Sequence, residues 1–324
     1  MDYNSSSYLE NSFCQNECGH GVCIENVCQC LPYWNGDQCD VPFKFILGKL
    51  FNAWKIGFII IFSGLIVLLF YKIILYLLHQ KLKKKQVKFL KISTYCLLVL
   101  SAISRLLYLS SDPMKQTGRV NGVFVELAGG LGLYFLFSAF LLILLYWAGL
   151  YHRVFGLARI GLFNPIAKNL FLVIDAIWLI FEIIVRVLYG LENKSFYTDG
   201  NFKLLDLIYS IYTMVIGISF SLGFMIYGTL IYHEIKKVQI KKESKENVVK
   251  KLTFIVTILS WTFLIGVVSL ILIIKFNVVN HPYGALGGLT LQFIVEIALN
   301  IELLYILHKK TDKCSVKKCC DQKE

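Results

Sequence analysis

Residues 122–151 read GVFVELAGGLGLYFLFSAFLLILLYWAGLY, thirty residues in which Glu126 is the only charge. An α-helix needs about 20 apolar residues to cross a hydrocarbon core about 30 Å thick, so the stretch exceeds what a crossing requires. A soluble helix of this length would show a polar stripe at helical spacing, and none is present. The stretch ends in Tyr146 and Trp147, followed by Tyr151, His152 and Arg153. Aromatic rings followed by a cation mark a helix reaching the membrane–water boundary. The chain is therefore read as a membrane protein.

Composition agrees. Of 324 residues 56% are apolar and 15% aromatic, with a mean hydropathy of +0.63. The formal net charge of +12 is unevenly placed, because residues 1–40 hold six acidic residues and no Lys or Arg. Lysines instead crowd short stretches between apolar runs. That is the pattern of cytoplasmic loops, so the basic excess points to the lipid bilayer as partner and not to nucleic acid. The opening MDYNSSSYLENSF has neither a positive n-region nor an apolar h-region, and no cleavable signal peptide is expected.

Working outward from the opening stretch, six more apolar runs are long enough to cross: about 54–78, 92–110, 169–189, 204–232, 252–274 and 286–307. HQKLKKKQVKFLK (79–91) carries six lysines and HEIKKVQIKKESKENVVKK (233–251) seven. With Arg153, Arg159, Lys168 and the tail from Lys309 on, one side holds twenty-two Lys or Arg. The sequons Asn4-Ser5-Ser6 and Asn193-Lys194-Ser195 fall on the other side, where Asn4 and Asn193 are glycosylation candidates. Seven crossings with the N-terminus extracellular or lumenal satisfy all of these markers together. The predicted fold is an all-α membrane protein, a seven-transmembrane helix bundle with a small disulfide-rich N-terminal module. Its parts are a tail (1–13), the module (14–39), a linker (40–53), the bundle (54–310) and a basic Cys-containing tail (311–324).

The module is read from Cys14, Cys18, Cys23, Cys28, Cys30 and Cys39, six cysteines in twenty-six residues. So short a segment cannot build a hydrophobic core and is folded by staples in an oxidising compartment. Spacing alone leaves every pairing of the six open. A zinc cluster is the rival reading, but such sites usually offer paired C-x2-4-C ligands in a reducing compartment. The pattern C-x3-C-x4-C-x4-C-x-C-x8-C, with Tyr33, Trp34 and Gly36 before the last cysteine, resembles an epidermal-growth-factor-like (EGF-like) module. That resemblance implies Cys14–Cys23, Cys18–Cys28 and Cys30–Cys39, and a recognition surface for an unidentified ligand. No calcium site and no cofactor are expected.

Arg105, Asp175, Glu182, Arg186, Glu296 and Asn300 lie within predicted crossings. Each ionised group near the bilayer centre costs roughly 2.5–3.5 kcal/mol on insertion scales, so such groups should face the bundle interior and pair. Glu182 and Arg186 are four apart and share a face. Gln292, Glu296 and Asn300 form a second stripe, and Arg105 is expected to meet Glu296 across the second and seventh helices. The group serves either as polar glue between helices or as a ligand or ion site. His79, His152, His233 and His308 stand at cytoplasmic helix ends, where imidazole suits the interface. None has a second ligand at metal spacing. No nucleophile–base arrangement can be assembled, so no enzyme is expected. Cys314, Cys319 and Cys320 flank lysines after the last crossing and are lipidation candidates. The inner lysines should attract anionic headgroups, by about 1 kcal/mol per Lys near the surface.

Rhodopsin-like receptor markers are missing: the third crossing ends Tyr151-His152-Arg153, and NIELLY (300–305) holds no Asn-Pro-x-x-Tyr. The segments FSAFLLILLYWAGLYHRV (137–154), SLGFMIYGTLIYHEIKK (221–237) and QFIVEIALNIELLYILHKK (292–310) resemble the plant tobamovirus-multiplication (TOM/THH) seven-helix family and its relatives, the animal orphan-receptor-like endolysosomal proteins. Arg105 and Val295-Glu296-Ile297 resemble its pattern too. The resemblance covers about 54–310 and implies a plasma-membrane, endolysosomal or vacuolar protein whose cytosolic face recruits partner proteins. A non-enzymatic receptor or scaffold is the favoured expectation. A G-protein-coupled receptor, or a transporter using the intramembrane charges, are the alternatives.

Replacing Asn193 by Gln, and Asn4 by Gln, should each remove one glycosidase-sensitive shift in gel mobility. If neither variant differs from the parent chain, the assignment of sides fails.

Overall fold

The computed structural model describes residues 18–24, 27–31, 33–82, 89–114, 120–154, 165–191, 201–237, 242–275 and 281–308. Four short strands come first: β1 (Gly21–Ile24), β2 (Val27–Cys30), β3 (Trp34–Asn35) and β4 (Val41–Pro42). The short helix α1 (Phe43–Leu47) follows. Seven long helices make up the rest of the described chain: α2 (Lys49–Leu82), α3 (Phe89–Ser110), α4 (Gly122–Val154), α5 (Pro165–Gly190), α6 (Asn201–Lys237), α7 (Lys242–Lys275) and α8 (Pro282–His308). Each predicted crossing lies inside one long helix. Several helices run on past the apolar segment, as α7 does through Lys242–Lys251, because backbone hydrogen bonding need not stop where hydrocarbon does.

Among the described residues, five helices are long and apolar enough to cross a membrane: Lys49–Lys81, Leu90–Ser110, Gly122–Ala148, Leu207–His233 and Pro282–Leu307. The apolar part of α7 among the described residues is shorter, Thr253–Ser269. α5 is not among the five; Lys168, Asp175, Glu182 and Arg186 all lie on it. The chain is an all-α, multi-pass membrane protein, and its surface is inverted relative to a soluble one. Ile60 (65% exposed), Val67 and Trp261 face outward, whereas Arg105, Glu182 and Glu296 are buried. Only a hydrocarbon solvent makes that arrangement favourable.

α4 is central: it packs along α3, α5 and α6 and touches α8. α2 lies on α3, and α7 lies between α6 and α8. Asn121 caps α4, its side-chain oxygen accepting from the Val123 amide at 2.9 Å. Pro282 opens α8, where its missing N–H is no loss. The core joins Phe137 and Phe140 of α4 to Phe220 and Phe224 of α6 and Phe263 of α7, with the Phe140 and Phe263 ring centroids 5.0 Å apart.

In the N-terminal module β1 and β2 form a hairpin in which Cys23 faces Cys28, and β3 pairs with β4. Disulfides join Cys18 to Cys28 and Cys30 to Cys39, with Cα separations of 5.6 and 5.2 Å. Cys23 is also disulfide-bonded; Cys14, its expected partner, lies outside the described residues.

Residues 40–53, read from sequence as a linker, include β4, α1 and the start of α2. β4 belongs to the module, and α1 leads from it into α2. Phe43, Leu47 and Phe51 bury against Met114, Ala285 and Leu286. Phe43 is fully buried, and its ring meets Tyr33 of the module edge-on, with centroids 6.3 Å apart. The gain from burying these apolar side chains, about 1.5–3 kcal/mol each, fixes the module to the bundle. Trp54 adds a hydrogen bond from its indole nitrogen to Thr290 Oγ1 at 2.8 Å.

At the far end of α5, a Cβ on Gly190 would run into the backbone of Val123. Backbone cannot move aside as a side-chain tip can, so Gly190→Ala should destabilise by about 1–3 kcal/mol. Gly57→Ala, where an added Cβ meets nothing, serves as control. A thermal melt of detergent-solubilised protein should show a lowered midpoint for the first and not for the second. Equal midpoints would contradict the close α4–α5 approach.

Candidate functional site

Two charge networks lie inside the bundle, and both lean on α4. In the first, the Arg105 guanidinium of α3 grips the Glu296 carboxylate of α8 with two hydrogen bonds. Nε donates to Oε2 at 2.6 Å and Nη2 donates to Oε1. The residues are 3% and 2% exposed, so neither charge reaches the bundle surface. Gln292 Nε2 donates to Glu296 Oε1 at 2.9 Å, and Asn300 Nδ2 donates to the Glu296 carbonyl at 2.8 Å. The four-residue spacing of 292, 296 and 300 thus forms one ladder on α8. The Phe293 ring lies under the guanidinium, 5.4 Å from Cζ, a cation–π contact that is strongest where water is excluded. The arginine reaches its partner across Gly132 of α4, where an added Cβ would stand 2.9 Å from Nε. Ser101 secures the same turn by donating to the Gly132 carbonyl at 2.7 Å.

The second network joins α4, α5 and α6. Arg186 Nε donates to Glu182 Oε1 at 2.8 Å, and Nη1 donates to Glu126 Oε2 at 3.4 Å. Nη2 donates to the Tyr209 hydroxyl, which itself donates to Glu182 Oε1 at 3.1 Å. The guanidinium also stacks 4.7 Å from the Tyr209 ring centroid. Gly130 makes room for this group, since a Cβ there would overlap Arg186 and Glu182. No sequence spacing groups Glu126 and Tyr209 with this cluster. Glu126 is sixty residues from Arg186, and a tyrosine in an apolar helix carries no periodic signal.

Asp175 departs from the expected ionic pairing. It accepts from Tyr134 Oη at 2.8 Å and Ser138 Oγ at 2.7 Å, both on α4. Two hydroxyls at four-residue spacing satisfy the carboxylate without a cation. A further polar contact, Thr262 Oγ1 donating to Glu302 Oε1 at 2.6 Å, joins α7 to α8. Asn300 Oδ1 and Glu302 Oε2 are buried and have no hydrogen-bond partner among the described residues. A narrow cleft beside Glu182, Tyr209, Trp178 and Tyr212 has room for about one water molecule. Among the described residues, no three His, Cys, Asp or Glu side chains assemble as a metal site requires. Asn4, Asn193, Cys314, Cys319 and Cys320 lie outside the described residues.

The THH1/TOM1/TOM3 domain matches residues 95–321, more than two thirds of the chain. The chain belongs to the THH1/TOM1/TOM3 family. Among curated proteins and solved structures, none matches it. The family match starts at Tyr95 in α3, later than the resemblance from about residue 54. The disulfide module, α1 and α2 therefore stand outside the THH1/TOM1/TOM3 domain, while every member of both charge networks stands inside it.

Removing one partner of a buried pair leaves an uncompensated charge and typically costs about 3–5 kcal/mol. Arg105→Ala and Glu296→Ala should each lower the yield and thermal midpoint of the solubilised protein. Arg105→Leu combined with Glu296→Leu should recover most of the loss, because apolar side chains remove both charges at once. A double variant no better than either single would argue against a pairing role.

Proposed function

We propose that this THH1/TOM1/TOM3 family member is a non-enzymatic receptor or scaffold that crosses the membrane seven times, with its EGF-like module extracellular or lumenal. The observation that carries the proposal is that the intramembrane charges are taken up by one another, with the Arg105–Glu296 pair sealed inside the bundle. Arg105 and Arg186 are bound by carboxylates within the bundle, and the cleft beside the second network has room for about one water molecule. A transporter needs intramembrane charges that a solute or ion can reach. These are better suited to holding helices together. Chemistry with a partner is left to the two ends: the disulfide module at one, and at the other the lysine stretches 79–91 and 233–251, which suit anionic headgroups and acidic protein surfaces. The sequons at Asn4 and Asn193 support a module on the glycosylated side, and the family resemblance supports the plasma membrane or an endolysosomal or vacuolar membrane.

A second reading, a signalling receptor, is favoured by one continuous set of contacts. Phe51 stacks near Trp54 at 5.8 Å, Trp54 on Phe293 at 5.7 Å, and Phe293 lies under Arg105. The module's anchoring segment therefore reaches the buried ion pair without a break.

Reconstituted protein should pass protons and monovalent cations no faster than empty vesicles. In cells, a biotin ligase on the C-terminus should label a set of soluble proteins. That set should shrink when Lys83, Lys84, Lys85, Lys241, Lys242 and Lys245 are all replaced by Gln. Flux abolished by Glu182→Gln would instead establish a transporter. A labelled set indifferent to the lysines would sink the scaffold reading.

A further inference from the structure

We infer that α1 is an anchor in the membrane interface, its outward face covered by the lipid of the leaflet in which α2 begins. The helix has two unlike faces. Phe43 and Leu47 are buried on the bundle, at 0% and 4% exposure, whereas Phe45 is 76% exposed and Ile46 is also exposed. A phenylalanine that bare would be out of place in water beside a second exposed apolar residue. What covers it follows from the surface it joins. Leu50 is exposed just beyond, and Ile56 and Ile60 continue the exposed apolar surface along α2, a helix long and apolar enough to cross the bilayer. The Phe45–Ile46 face is thus the upper margin of a lipid-facing surface.

Level and chemistry agree with that placement. The buried face of α1 rests on Ala285 and Leu286 of α8. One turn from these, Tyr283 stands 66% exposed on α8, so two aromatic side chains mark the same end of the bundle. The amphipathic Tyr283 ring suits the membrane-boundary belt, and the Phe45 ring suits the apolar face of a helix lying in the interface. Lys49 is exposed at the start of α2 and can reach headgroup phosphate while its stem lies along apolar surface. Gly48, with φ of +51°, breaks the helix between α1 and α2. The break frees α1 from the direction of α2, as a segment lying in the interface plane requires. The consequence is that the disulfide module is held against the lipid surface by α1, so its recognition face works close to the membrane. The inference depends on α2 crossing the bilayer and not on which side carries the N-terminus.

Photo-crosslinking in the full chain tests it. The photoreactive residue p-benzoylphenylalanine is installed in place of Phe45, Ile60 or Val27, one at a time. Membranes are irradiated and the purified protein is weighed by mass spectrometry. Ile60 is exposed on α2, and Val27 is 65% exposed in the module hairpin. Phospholipid adducts are expected at positions 45 and 60 and absent at 27. A protein adduct at 45, from a second copy or another chain, would overturn the inference. So would no adduct at 45 while 60 still captures lipid.

Discussion

The Arg105–Glu296 pair is the constraint to which the bundle answers. Neither group can be left alone in hydrocarbon, and neither can snorkel to water from its buried place. The pair therefore ties α3 to α8, 191 residues apart in sequence, in one register. Its geometry also dictates what the neighbouring helix must omit. α4 passes beneath the guanidinium, and only Gly132 lets it pass. A buried ion pair is a weak source of net stability, but losing one partner leaves the other charge uncompensated, at a cost of about 3–5 kcal/mol.

α4 carries out the same accommodation twice. Gly130 faces the Arg186 network and Gly132 faces Arg105, while a Cβ added at Gly129 would stand 3.2 Å from the Tyr108 ring. Successive residues of a helix point around its axis, so a short glycine-rich run opens notches toward different neighbours. The thirty apolar residues of 122–151 were legible as a crossing because length and hydropathy are local properties. Their place at the centre of the bundle was not, since the notches of Gly129-Gly130-Leu131-Gly132 acquire meaning only once the arginines are placed opposite them.

The same division runs through the polar residues. Glu182–Arg186 and the 292–296–300 ladder were readable because four-residue spacing is set by the helix itself. The Arg105–Glu296 contact was readable because two opposite charges in hydrocarbon have few other solutions. Asp175 obeyed a weaker rule: a carboxylate needs donors, and hydroxyls on Tyr134 and Ser138 served as well as a cation. Which donor it finds depends on the rotation of α4 against α5, which no short-range pattern encodes. FKFIL (43–47) was invisible for a related reason. Five residues are too few for a periodic signal, and their burial is decided by Met114, Ala285 and Leu286 from distant parts of the chain.

That hidden attachment changes how the module can act. A domain on a flexible tether samples orientations freely, and binding to it does nothing to the helices beneath. Here Tyr33, Phe43, Phe51 and Trp54 are packed one upon another and on Phe293. Packed interiors resist gradual deformation and shift between discrete arrangements. A displacement of the module must therefore either be absorbed at Gly48, which already breaks the helix between α1 and α2, or be passed to α2 and α8. The ion pair at the end of that path opposes the second course, because Phe293 cannot leave the guanidinium without exposing a charge to a poorer environment. The attachment and the pair thus act together: one makes the module part of the bundle, and the other makes the bundle resist being moved by it.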